Sequence, residues 1–383
     1  MFILLKLAVL SISTLLISFV SLSTVFPALR YDLEVSQMQS ELMMTIPALA
    51  VIIFIFVSNW LTPKIGMKKM VLAGMILSGI AGIFPFFVQQ YIPILISRFF
   101  LGAGTGLVNT WAVRYITLLF EGYDRFKMMG YRSSAEIIGQ MIVAIIAGTL
   151  FRFGWHFSFL GYSIAFISAI LILIYIPEIE IPQEIHEDPP KKRLPFAIYM
   201  LTIFNAIITL TAATIVFRFP AIATNIRGLD YNPGMWMSLW PIFSIIAAVT
   251  FGKLSILLGK NLLYLALALL ILSTIFLTFS INSLPLSVIA LFLHGVVPAW
   301  FFPFVFMTAS KMTEGKTQSV AFSYLVVGIK TGVFLVPFFV SLIETLFNTT
   351  SIIAPYPVLS ILLLLSTLFI ATVGKNIVKK AYL

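Results

Sequence analysis

The 383 residues are 60% apolar and only 10% charged, with a mean hydropathy of +1.07. A water-soluble domain carries about 25% charged residues, and the longest polar stretch, from about Glu178 to Pro195, is far below domain size, so a soluble catalytic module is excluded. The net charge of +10 has no water-exposed fold on which to form a nucleic-acid-binding face, and the absence of cysteine removes disulfides, thiolate nucleophiles and Cys-ligated metals.

The first predicted element covers 7–27. The stretch Met1 to Ala28 resembles a signal peptide, but its apolar run exceeds the 7 to 15 residues of a secretory core and further spans follow, so a retained first helix is expected. Polar or turn-forming breaks then delimit spans near 42–62, 70–88, 92–119, 129–151, 157–177, 196–219, 235–254, 262–281, 286–308, 318–343 and 356–374. Each approaches the ~20 residues that cross a bilayer as a helix and is about twice the length of a barrel strand. With the N-terminus in the cytoplasm, Lys64, Lys68, Lys69, Arg125, Lys127, Arg132, Lys191, Lys192, Arg193, Lys253, Lys260, Lys311, Lys316, Lys375, Lys379 and Lys380 join Lys6 on the inner side. Only Arg30, Arg152 and Arg227 fall outside. This excess predicts that both termini are cytoplasmic.

The charged, proline-bearing EIEIPQEIHEDPPKKR from Glu178 to Arg193 separates the sixth and seventh spans. A six-helix bundle over 1–177, a cytoplasmic linker over 178–195 and a second bundle over 196–383 are therefore expected. If the halves are duplicates, features recur at a fixed offset. An offset of 193 places Leu61 on Leu254, Gly66 on Gly259, Phe99 on Phe292 and Gly102 on Gly295.

Several motifs resemble the major facilitator superfamily of secondary transporters. Its loop signature G-x-L-a-D-r-x-G-r-k between spans two and three meets NWLTPKIGMK, which keeps Leu61, Lys64, Gly66 and Lys68 while Asn59 and Pro63 replace the first Gly and the Asp. The second-half copy keeps Gly252, Leu254, Gly259 and Lys260, with Ile256 where the acid would stand. Arg98, Gly102 and Gly104 fit the fourth-helix pattern R-x-x-x-G-x-G, and GWHFSF from Gly154 resembles the entry to the sixth span. The Gly-Pro pair of the family's drug antiporters is replaced by Val143 and Ala144. The resemblance implies an all-α membrane protein: twelve transmembrane helices in two pseudo-symmetric six-helix bundles, with spans one, four, seven and ten around a central cavity.

A charge at mid-bilayer costs about 2.5 to 3.5 kcal/mol on insertion scales, so each one needs a partner or a hydrated cavity. Arg98, Arg114, Glu136, Arg218, His294 and Lys330 are in this position. Arg114 and Glu136 lie equally far from Arg125 in the turn joining their spans, and two antiparallel helices would bring them to one depth. They form an expected pair, either a packing salt bridge or, with Lys330, an inner gate. At 100° per residue Asn109 returns to within about 20° of Arg98, giving the fourth span a polar face. Asn205, flanked by Thr202 and Thr209, does the same on the seventh. Arg98 either hydrogen-bonds carbonyls of the first span or meets an anion or proton. His294 is either a satisfied neutral side chain or a group changing charge near neutral pH. Arg218 is expected to snorkel to the headgroups.

The glycines 102, 104 and 106 imitate a nucleotide fingerprint, but no strand precedes them, and in a membrane helix small residues permit close helix approach. No cofactor and no metal site is expected, and an intramembrane enzyme lacks a catalytic pair at one depth. The sequence-level reading is a monomeric, proton-coupled transporter in the plasma membrane that exports a small organic solute by alternating access. Arg98, Asn109, Asn205 and His294 lie on its substrate or proton path, and Gly66, Lys68, Gly252 and Gly259 form its motif loops. The alternatives are uptake of an organic anion bound by Arg98, and a receptor or assembly factor that moves no solute.

Overall fold

The structure, a computed structural model, describes residues 2–16, 22–179, 194–228, 231–313 and 315–372. Among them the chain forms helices and no strand. It divides into two compact units, Met1–Glu187 and Asp188–Leu383.

The first unit holds α1 (Phe2–Ser11), α2 (Phe26–Asp32), α3 (Gln37–Ile65), α4 (Met67–Phe87), α5 (Tyr91–Leu119), α6 (Gly122–Leu150) and α7 (Ile164–Tyr175), with a 3-10 helix over Trp155–Ser163 leading into α7. Helix α3 starts at a capping box: the Ser36 hydroxyl accepts from the Gln39 N–H at 3.1 Å, and the Gln39 side chain accepts from the Ser36 N–H at 2.8 Å. It ends at Gly66, whose φ of +89° suits a residue without Cβ, and α4 begins at the next residue. Gly102 on α5 abuts the backbone of Pro47 on α3, and Gly104 abuts Gly74 and Ser78 on α4. The glycines that imitate a nucleotide loop are contact points between helices, as close approach in a membrane requires.

The second unit holds α8 (Phe196–Arg227), α9 (Gly234–Leu258), α10 (Asn261–Thr278), α11 (Leu284–Met312), α12 (Gly315–Leu346) and α13 (Pro355–Thr372). It repeats the helix pairings of the first. Helix α5 packs on α3 and α4, as α11 packs on α9 and α10, and α1 packs on α6 as α8 does on α12. The contacts follow the 193-residue offset. Gly102 meets Pro47 while Gly295 meets Trp240, and Gly139 meets the Thr14 backbone while Gly332 meets that of Ala206, one residue from the offset position. Gly66 and Gly259 both carry positive φ, at +89° and +54°.

Eleven helical segments among the described residues are long and apolar enough to cross a membrane. The first predicted span is the exception, for α1 stops at Ser11, turns occupy 12–16, and residues 17–21 lie outside the described chain. Here the Ser11 hydroxyl donates to the Ala8 carbonyl and that of Thr14 to the Ser11 carbonyl, both at 2.8 Å. Such local bonds compete with the helical ladder.

Candidate functional site

In the first unit, Arg98 projects from α5 into a fully enclosed position. Its Nε donates to the Met43 carbonyl of α3 at 3.3 Å, and one terminal nitrogen donates to the Tyr162 hydroxyl at 2.9 Å, with the guanidinium carbon 5.5 Å from that ring's centre. Tyr162 comes from the 3-10 helix before α7, so the guanidinium ties three elements together. The described carbonyl that Arg98 bonds is on the second span, because α3 lies along α5 over most of its length, while residues 17–21 of the first span, where the sequence also offered carbonyl partners, lie outside the described residues.

Asn109, half-buried, lies about 16 Å of helix rise from Arg98. The two share a face of α5, but the structure does not bring them together. Around Asn109, Trp111 Nε1 donates to the Ser58 hydroxyl at 2.6 Å, which donates to the Leu107 carbonyl at 2.7 Å. This chain pins α3 to α5. Glu136 accepts from Arg132, one turn earlier on α6, at 2.6 Å. The carboxylate expected to face Arg114 is thus engaged within its own helix, where i,i+4 spacing makes neighbours. Arg114 is half-buried.

The motif loops sit at the α3 to α4 and α9 to α10 junctions. Lys64 stacks over the exposed Trp60 ring at 3.7 Å, and Lys68 is half-buried. Gly259 caps α9, whereas Gly252 lies inside α9 with nothing near the position of a Cβ. Only three of these four positions, Gly66, Lys68 and Gly259, therefore fall at a junction.

In the second unit, Asn205 is fully buried and donates from Nδ2 to the Leu325 carbonyl of α12 at 3.3 Å, while its Oδ1 has no partner among the described residues. Thr209, one turn on, has a buried hydroxyl in the same condition. His294 on α11 is buried, with Nε2 at 3.1 Å from the Ala212 carbonyl of α8 and its ring edge-to-face with Trp240 at 5.5 Å. A carbonyl accepts only, so this contact makes Nε2 the protonated nitrogen and leaves Nδ1 as a buried acceptor without a described partner. Lys330 is buried within α12.

Two charged positions were misread or missed. Arg218 is 1% exposed, donating to Glu344 Oε1 at 2.7 Å and to the Ile352 carbonyl at 2.9 Å. It does not snorkel, because the end of α12 supplies a carboxylate. Glu41 is completely buried in α3 and accepts from Gln37 at 2.8 Å, and Gln37 in turn accepts from Arg30 at 2.7 Å. Starting the second span at 42 left this acid in a loop. The Ser36 and Gln39 capping signature was the sequence signal for an earlier start. Among the described residues, no group of three His, Cys, Asp or Glu side chains is assembled as for a metal ion.

A family profile described as Major Facilitator Superfamily matches residues 7–260. The chain belongs to the Major Facilitator Superfamily. It is 25% identical over 222 residues to a Protein TsgA homolog of Buchnera aphidicola subsp. Acyrthosiphon pisum (strain Tuc7), covering 54% of this chain and 55% of that one. It is 26% identical over 162 residues to Uncharacterized protein Cj0987c of Campylobacter jejuni, covering 42% and 50%. The chain thus spans about half the length of the curated relatives it matches. In fold it is similar to a D-xylose-proton symporter, with a TM-score of 0.76, 14% identity and 97% of both chains covered. It is also similar to a bacterial homolog of the human lysosomal transporter Spinster, with a TM-score of 0.71, 13% identity and 98% and 96% covered. Membership in the superfamily and eleven long apolar helices among the described residues make this an integral, multi-pass membrane protein, and its fold is that of these transporters.

Proposed function

We propose that this chain moves a small organic solute across the plasma membrane by alternating access, coupled to protons and in the direction of export, without catalysing a chemical reaction. The observation that carries this reading is the duplicated helix packing. Two units built on the same glycine contacts at one offset suit a transporter whose halves act as matched bodies around a site near the bilayer midplane. In this reading both termini are cytoplasmic and the protein works as a monomer.

Asn205 and His294 are the polar positions of the second unit proposed for the path, with Asn109 for the first. The buried acceptors Asn205 Oδ1 and His294 Nδ1 support it, because a buried polar atom without a partner is costly unless something else uses it. Arg98 is proposed to position α3, α5 and the entry to α7. Its enclosure weighs against the rival reading in which it binds an organic anion for uptake. Arg114, Glu136 and Lys330 are proposed to govern the inner side, with Gly66, Lys68 and Gly259 shaping the junctions.

Counterflow in proteoliposomes across a panel of organic solutes, with internal pH followed by a trapped dye, tests the proposal. Protein-dependent exchange is expected for at least one solute, accompanied by proton movement. In His294→Gln, exchange should persist while the response to an imposed pH gradient is lost. Equal solute movement in liposomes with and without protein would favour a receptor or assembly role, and an unchanged pH response in His294→Gln removes that residue from the path.

A further inference from the structure

The second unit contains a crevice of about 540 Å³ between α8, α10, α11 and α13. All four helices contribute from one end of the unit, where α8 and α10 begin and α11 and α13 finish. The walls are apolar. Among the described residues Thr308 and Ser366 are the only hydroxyl residues lining it, and both hydroxyls already donate, to the Phe304 carbonyl at 2.9 Å and the Leu362 carbonyl at 2.7 Å. A polar solute finds nothing there to recognise it.

The corresponding seam of the first unit is packed differently among the described residues. In the first unit α1 packs along α7, and the Thr14 and Ser168 hydroxyls meet at 3.4 Å. At the 193-residue offset Thr14 becomes Ile207 and Ser168 becomes Ile361, so the hydrogen bond has no counterpart. Ile172 and Ile176 on the first unit's side of this seam are 0% and 1% exposed. Their counterparts Leu365 and Phe369 are 61% and 44% exposed and line the crevice. The second unit keeps the apolar wall, but α8, the counterpart of α1, leaves Leu365 and Phe369 open on the crevice among the described residues.

Length and charge specify the occupant. From Phe196 to Ile207 the lining runs along about 16 Å of helix rise, close to one leaflet of a hydrocarbon core about 30 Å thick. At the end where α10 starts and α11 finishes stand two exposed lysines, Lys260 at the N-cap of α10 and Lys311 in the last turn of α11. Each is within one turn of a lining residue, Leu263 or Thr308. We propose that the crevice is a binding site for one anionic phospholipid, its acyl chain between α8 and α13 and its headgroup at Lys260 and Lys311.

The test is native mass spectrometry of the delipidated full-length protein titrated separately with palmitoyl-oleoyl phosphatidylglycerol and phosphatidylcholine. One tightly held phosphatidylglycerol is expected, preferred over phosphatidylcholine by about tenfold or more, since a basic residue near an anionic surface contributes roughly fivefold. Ser366→Phe, which fills the crevice, should lose that lipid, and Lys260→Gln with Lys311→Gln should bind both lipids alike. Ile256→Trp, at a position 88% exposed and away from the crevice, should bind as the parent does. Leu365→Trp replaces Ser366→Phe if the latter does not give a folded protein in the same detergent. Equal binding of the two lipids by the parent, or retention of phosphatidylglycerol by the crevice-filling variant, would overturn the proposal.

Discussion

Replacing Gly102 with alanine drives a methyl group into the backbone of α3. The new Cβ would stand 2.5 Å from the Cα of Pro47 and 2.7 Å from its carbonyl carbon. Backbone in the middle of a helix cannot swing aside as a side-chain tip can, so α3 and α5 must separate along their whole seam. Overpacking a close-packed interior costs about 1 to 3 kcal/mol, and the rigidity of this neighbour puts Gly102→Ala near the top, at about 3 kcal/mol. Two comparisons make the expectation sharp. At Gly295, the counterpart in the second unit, the nearest atoms are the Trp240 carbonyl oxygen at 3.0 Å and the Phe243 Cβ at 3.3 Å. Small shifts relieve those contacts, and Gly295→Ala should cost about 1 kcal/mol. Gly252, inside α9, has nothing within 4 Å of a new Cβ, so Gly252→Ala should stabilise by roughly 0.5 to 1 kcal/mol through helix propensity alone. The assay is the thermal unfolding midpoint of the three variants and the parent in one detergent, followed by tryptophan fluorescence. On the scale of a unit of 150–250 residues, a 3 kcal/mol loss lowers the midpoint by roughly 6 to 12 °C. Gly102→Ala at least as stable as Gly252→Ala would refute the reasoning, because the ranking rests only on what each methyl meets.

Glu344→Gln leaves the Arg218 guanidinium enclosed with a neutral partner. Breaking a fully buried pair costs about 3 to 5 kcal/mol, but Glu344 is 28% exposed, so about 2 kcal/mol is expected, and Arg218→Met with Glu344→Leu should restore most of it in the same unfolding assay. Tyr162→Phe removes the hydroxyl that accepts from Arg98 and should lower stability by about 1 to 3 kcal/mol, whereas Tyr31→Phe at an exposed site should be neutral. Gly66→Ala forces a Cβ onto a residue at φ +89° and is expected to cost roughly 1 to 3 kcal/mol, readable as a lowered unfolding midpoint even though the nearest atom, Glu178 Oε1 at 3.7 Å, makes only ordinary contact.

What could be read from the amino-acid order divides according to the range of the forces involved. Apolar length is a local property, and it located eleven of the crossing helices, because long apolar runs satisfy their backbone only as helices in lipid, although α3, α6 and α8 run about five to eight residues past a predicted end. The glycine offsets were legible for the same reason, since a duplicated contact leaves its mark on both copies. In the first span short-range hydroxyl bonds accompany the turns after Ser11, a local competition with the helical ladder that hydropathy cannot see, and residues 17–21 lie outside the described chain. Charged side chains were harder still, because their partners lie far away in sequence. Arg98 is held by Met43 and Tyr162, and Arg218 by Glu344 and Ile352, pairings set by which helices touch. Glu136 has a neighbour that equal depth across two helices does not reveal, since Arg132 one turn earlier on its own helix reaches its carboxylate.

The repeat separates structural from specialised residues more sharply than either half does alone. Where both copies keep a feature, as Gly102 and Gly295 do, the shared demand is helix contact. The charged side chains break the symmetry: Arg98 falls on Leu291, Glu136 on Ile329 and His294 on Leu101. A duplicated scaffold has no packing reason to hold an ionisable group in one copy and an aliphatic one in the other, for the aliphatic copy shows that the fold is satisfied without the charge. Retaining a buried Arg or His in one half therefore needs a reason confined to that half, and for Arg98 the neighbours supply one: Tyr162 and the Met43 carbonyl both accept from the guanidinium. His294 differs, with one ring nitrogen bonded to Ala212 and the other facing no described partner. If packing were its whole purpose, His294→Leu, matching Leu101, should fold at least as well and transport equally. Loss of solute exchange with an unchanged unfolding midpoint is the expected result, and equal exchange would return His294 to the scaffold.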